Sequence, residues 1–87
     1  MTEIPVNQIV RLPRQLGALI QSARVQRAMT QQQLASLIGK YQKTISAIEN
    51  GSEGTKLDTL LSVIAVLDLD LQVIPRSKDG KDIADVF

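Results

Sequence analysis

Residues 31–50 read QQQLASLIGKYQKTISAIEN, and this stretch decides the fold. Thr30 stands in front of it with a hydroxyl suited to the free amides of a helix start, and Gln33 completes a Thr-x-x-Gln capping box. Leu34, Ala35, Leu37 and Ile38 supply the inward residues of that helix, and Gly39 stops it. A second short helix is predicted from Gln42 to Asn50, with Ile45 and Ile48 facing inward. Two helices that cross steeply bring their backbones close together. That calls for a small side chain on the first, which is Ala35, and a turn residue tolerant of positive φ, which is Gly39. Ala35, Gly39, Ile45 and Ile48 at these spacings form the helix-turn-helix pattern.

Working outward, Pro13 opens an earlier helix without losing a hydrogen bond, and Leu16, Leu19, Ile20 and Ala23 give it one apolar face. Arg24 and Arg27 close it, where positive charge suits the helix dipole. Gly17 costs about 1 kcal/mol there relative to Ala, and the periodicity offers no reason for it beyond close packing. On the other side, Thr55 is the expected cap of a fourth helix, with Asp58 in its first turn. Leu57, Leu60, Leu61, Ile64 and Leu67 form its stripe, and Val63 and Val66 widen that stripe beyond what one small core needs. After Asp68 the period changes to two: Leu69, Leu71 and Val73 alternate with Asp70, Gln72 and Ile74, which predicts a strand. The expected organisation is therefore an all-α helix-turn-helix domain over residues 13–68, a short strand over 69–75 and a polar tail over 76–87.

The composition removes most catalytic chemistry. The 87 residues include no His and no Cys, so there is no imidazole base, thiolate nucleophile, disulfide or His/Cys metal site; no metal or other cofactor and no enzymatic activity are expected. No apolar run is long enough for a membrane span. Ten basic and nine acidic residues leave a net charge of +1, but they are unevenly placed. Residues 1–57 hold seven bases and three acids, whereas residues 58–87 hold three bases and six acids. The basic half suits a polyanion.

That half also holds the polar face suited to DNA. Lys43, Ser46, Ala47 and Asn50 share the side of the third helix opposite Ile45 and Ile48, and Gln42 leads the helix at its tip. In the major groove a Gln bonds an adenine edge with two hydrogen bonds, a Lys bonds guanine O6/N7, Ser is tolerant, and Ala meets a thymine methyl. Gln42, Lys43 and Ser46 are the expected base contacts, with Tyr41, Thr44 and Ala47 at the margin. Gln31, Thr30, Arg27, Lys40 and Asn50 are the expected phosphate contacts. A lone strand leaves backbone groups unpaired, and pairing with a second copy would satisfy them. Leu69, Leu71, Val73, Val63 and Val66 are then the expected dimer interface. The alternative is pairing with the Ile4–Val10 segment of the same chain.

The pairs Thr30-Gln31, Leu34-Ala35 and Ile45-Ser46, together with Glu49-Asn50-Gly51, resemble the motif of the phage-repressor-like (Cro/C1-type, XRE) helix-turn-helix family over roughly residues 13–67. Within it, LDLDLQVIPR at 67–76, the proline-led Leu12–Leu16 and the Gln42–Ser46 segment are similar to HipB-type antitoxins. One departure is Ala28, where the family usually places Gly. The resemblance implies a structural ion pair between Arg24 and Glu49, a Gln31 side chain bracing Gln42, and a two-stranded cap across a homodimer axis. It further implies a repressor binding a palindromic double-stranded operator, with half-sites about 34 Å or a multiple apart. The same resemblance implies neutralisation of a HipA-type serine/threonine kinase toxin, and the lack of an apolar run long enough for a membrane span leads to the expectation of a cytoplasmic, nucleoid-associated location. A phage-type repressor with no toxin partner is the alternative.

Overall fold

The computed structural model describes residues 8–76. Four helices form among these residues: α1 (Pro13–Gln26), α2 (Gln31–Leu37), α3 (Gln42–Glu49) and α4 (Leu57–Val66). The all-α helix-turn-helix architecture expected from the spacing is thus present. None of the four helices is long and apolar enough to cross a membrane. The expectations for Ile4, Val6 and residues 77–87 lie outside the described residues.

Local chemistry sets the helix starts. The Thr30 capping box is complete, with Gln33 N–H donating to Thr30 Oγ1 at 3.0 Å and Thr30 N–H donating to Gln33 Oε1 at 2.8 Å. At α1 the Gln15 side chain accepts from the backbone N–H groups of Arg11 at 2.7 Å and Leu12 at 3.0 Å. For α4 the expectation needs correction. Lys56, not Thr55, is the N-cap residue, and no side chain caps the helix.

All four helices end in the same double turn. In α2, Lys40 N–H reaches Ala35 O at 2.9 Å and Gly39 N–H reaches Ser36 O at 3.3 Å. The residue just past the cap is left-handed in every case: Ala28 (φ 53), Gly39 (φ 68), Gly51 (φ 85) and Asp68 (φ 60). The departure noted at Ala28 thus falls on a position where an L side chain carries a steric cost.

One core unites the helices. Ile20 and Ala23 of α1, Leu34 and Ala35 of α2, Ile45 and Ile48 of α3, and Val63 with Leu67 at the end of α4 form a single buried cluster. Burying each large aliphatic side chain contributes about 1.5–3 kcal/mol. α3 packs against both α1 and α2. The packing on α1 explains Gly17: a Cβ there would overlap the Ile48 carbonyl oxygen and lie 2.6 Å from that of Glu49. The helices meet backbone to backbone at this point, a demand the sequence periodicity does not register.

Some residues expected inside lie outside. Leu37 is 62% exposed, and on α4 Leu57 and Leu61 are exposed while Leu60, Val63 and Ile64 turn inward. A short helix buries one stripe, and the core claims the one ending at Leu67. Among the described residues, 69–76 form neither helix nor strand. Leu69 packs on the core, while Leu71, Val73 and Ile74 are exposed.

Candidate nucleic-acid interface

α3 has two unlike sides. Ile45, Ile48 and Glu49 are buried beneath it, while Gln42, Lys43 and Ala47 are exposed, with Thr44 and Ser46 half-buried beside them. Tyr41, the N-cap residue, is 76% exposed and uses only its backbone: Thr44 N–H donates to its carbonyl oxygen at 2.9 Å. The exposed side carries donors and acceptors and no large aliphatic group.

A polar network fixes α3 against the other helices. Arg24 Nε donates to Glu49 Oε2 at 2.6 Å, and Arg24 Nη2 to Glu49 Oε1 at 3.0 Å. The Arg24 side chain is 11% exposed and that of Glu49 3%. Arg24 Nη1 also donates to the Met29 carbonyl at 2.8 Å, tying the left-handed loop after α1 into the same group. Gln31 Nε2 donates to Glu49 Oε1 at 3.0 Å, and Gln31 Oε1 accepts from Gln42 Nε2 at 3.2 Å. A continuous chain of side chains thus runs from α1, through the C-terminal end of α3 and the first residue of α2, to the N-terminal tip of α3. The link from Gln31 to Glu49 was not visible in the sequence, since no helical period relates residues 31 and 49.

The remaining candidate residues are placed as follows. Thr30 is occupied in its capping box, and Lys40 is exposed in the turn. Arg27 stands 3.8 Å from the exposed Asp68, a pair worth little in solvent. Asn50 folds back on its own helix: its Nδ2 donates to the Ser46 carbonyl at 2.8 Å and lies 3.4 Å from Ser46 Oγ. Val63 is fully buried within the chain, so it has no surface left for a second copy, and Val66 is half-buried. Leu57 and Leu61 on the same helix, which the sequence pattern puts on the inward stripe, are exposed instead.

Comparison with known proteins matches this arrangement. The helix-turn-helix family model covers residues 20–74. Antitoxin HipB of Escherichia coli O6:H1 strain CFT073 is 31% identical over 78 residues, spanning 90% of this chain and 83% of that protein. Antitoxin HipB of Escherichia coli K12 is 36% identical over 64 residues, 74% of this chain and 73% of that protein. This chain is a HipB-type member of the helix-turn-helix family. Among solved structures, a HipB–O4 20mer complex superposes with a TM-score of 0.75 at 32% identity, covering 82% of this chain and 100% of that one. A HipA–HipB–O2–O3 complex matches with the same score, identity and coverage. The HipB-type fold thus extends well beyond the two helices of the central motif.

Proposed function

We propose that the chain is a dimeric, sequence-specific repressor and antitoxin. In this reading it binds a palindromic operator through α3 and neutralises a HipA-type serine/threonine kinase toxin. The observation that carries the DNA half is the division of α3. Its apolar side is anchored in the core, and Gln42, Lys43, Ser46 and Ala47 stand on the other side. Gln42 would bond an adenine edge, Lys43 guanine O6/N7 and Ser46 either base type, with Ala47 against a thymine methyl and Tyr41 and Thr44 at the margin. Gln31, Thr30, Arg27, Lys40 and Asn50 flank that face and would set its register through phosphates. The solved HipB–O4 20mer and HipA–HipB–O2–O3 complexes support the DNA and toxin halves respectively.

Dimerisation follows from residues 69–75 in the same reading. Leu71 and Val73 are 51% and 93% exposed, and the backbone around them forms no ladder among the described residues. Pairing with the same segment of a second copy would satisfy both deficits and place two α3 helices for two half-sites. Leu57 and Leu61, rather than the buried Val63, offer further exposed apolar surface on α4.

The reading is tested by titrating Gln42→Ala and Lys43→Ala against duplex operator fragments recovered from the native host. Each variant is expected to lose about 1–3 kcal/mol of discrimination between the operator and unrelated duplex. Sedimentation should show unchanged assembly. Wild-type discrimination in both variants would reject α3 as the reading element. Failure of the wild-type chain to capture a kinase from its host would favour the toxin-free repressor.

A further inference from the structure

Glu49 lies on the buried side of α3 and Gln42 at its exposed tip, yet a single side chain joins them. Arg24 bonds both carboxylate oxygens of Glu49, and Gln31 Nε2 donates to Oε1 at 3.0 Å. A carboxylate paired with an arginine only accepts, so the Gln31 amide must turn its NH2 group inward and its oxygen outward. That oxygen accepts from Gln42 Nε2 at 3.2 Å. Gln42 is therefore held by its NH2 group, which fixes the direction of its own amide.

We propose that the buried Arg24–Glu49 pair, acting through Gln31, sets the amide polarity of Gln42 and thereby its base preference. The inference rests on the reading of Gln42 as a base-contacting residue. Adenine presents one acceptor and one donor in the major groove, and a glutamine amide matches them in one orientation. Turned over, the same amide meets that edge donor to donor and acceptor to acceptor. An unsupported glutamine would have to be sorted into the right orientation on binding. Here the orientation exists before DNA arrives, so part of the ordering cost is removed from the binding step. Arg24, Glu49 and Gln31 are positioning residues in this scheme, and Arg24 and Glu49 need touch no nucleotide.

The test uses the full chain and a randomised duplex library, with base preferences read at every position after selection. Gln42→Ala first identifies the position whose preference depends on that side chain. Gln31→Ala removes the link while leaving the ion pair in place. The double variant Arg24→Met with Glu49→Leu removes the pair without leaving a buried charge alone. Gln31→Ala is expected to reduce the preference at the Gln42 position by about two- to tenfold, the value of one ordinary hydrogen bond, and to leave the other positions unchanged, while the double variant, which also loosens α3, is expected to reduce it by at least as much. If Gln31 acted only by bonding a phosphate, Gln31→Ala would instead weaken all sequences equally, because phosphates carry no base information. If Gln31→Ala keeps the wild-type preference at that position, the relay is overturned while the reading of Gln42 stands. If Gln31→Ala flattens it but the folded double variant does not, Arg24 and Glu49 are removed from the relay. If Gln42→Ala changes no position, both the relay and the base-reading role fail together.

Discussion

Residues 31–49 and residues 69–76 both carry regular patterns of apolar and polar residues, with opposite outcomes in one chain. The first stretch buries Leu34, Ala35, Ile45 and Ile48 completely or nearly so. The second leaves Val73 93% exposed and forms no ladder among the described residues. A helix closes its own backbone hydrogen bonds, so α2 and α3 need only a core for one side of each. A strand closes none of its own, and its pattern has no meaning without a neighbour. The helix-turn-helix unit therefore closes its hydrogen bonds and buries its apolar sides within one chain, whereas the C-terminal segment does neither among the described residues.

That contrast can be broken most severely from the helical side. Arg24→Ala leaves Glu49 buried with Gln31 as its remaining side-chain donor, and should cost about 3–5 kcal/mol. Since small domains hold only about 5–15 kcal/mol in total, urea denaturation should show a large loss or outright unfolding. A loss below about 1 kcal/mol would mean that the pair is not what holds α3 down.

Ala28→Gly should act in the opposite direction and more weakly. Relief of the left-handed backbone at φ 53 outweighs the greater unfolded-state freedom of Gly, and an exposed position loses little packing. Stability should rise by about 0.5–1 kcal/mol, seen as a higher thermal midpoint; a fall would show that the loop does not bear that cost. The smallest effect on protomer stability is expected from Leu71→Lys with Val73→Lys. Exposed substitutions usually shift stability by less than about 0.5 kcal/mol, so the helical signal of the protomer should hold. Sedimentation of this variant should nonetheless show monomers, and a persistent dimer would separate assembly from residues 69–75.

The parts legible in the sequence were those decided within one turn of helix. The Thr30–Gln33 cap, the Gly39 turn and the inward Ile45 and Ile48 each depend on residues three or four apart. Gly17 was unexplained because its reason lies in the Ile48 and Glu49 carbonyls on another helix. The Arg24–Glu49 pairing came from family resemblance and not from any period. The outward turn of Leu37, Leu57 and Leu61 was misjudged for a related reason: an apolar residue in a helix shows that some surface will cover it, not which one.

From its order of residues alone, this protein determines four helices, where three of them begin, and which side of α3 faces away from the core, because capping and periodicity act over neighbouring positions. Pairings across 25 residues of chain, such as that joining Arg24 to Glu49, were decided only when the helices packed. Packing also turned the Gln31 amide toward Glu49, since the direction of a hydrogen bond depends on which atom stands opposite.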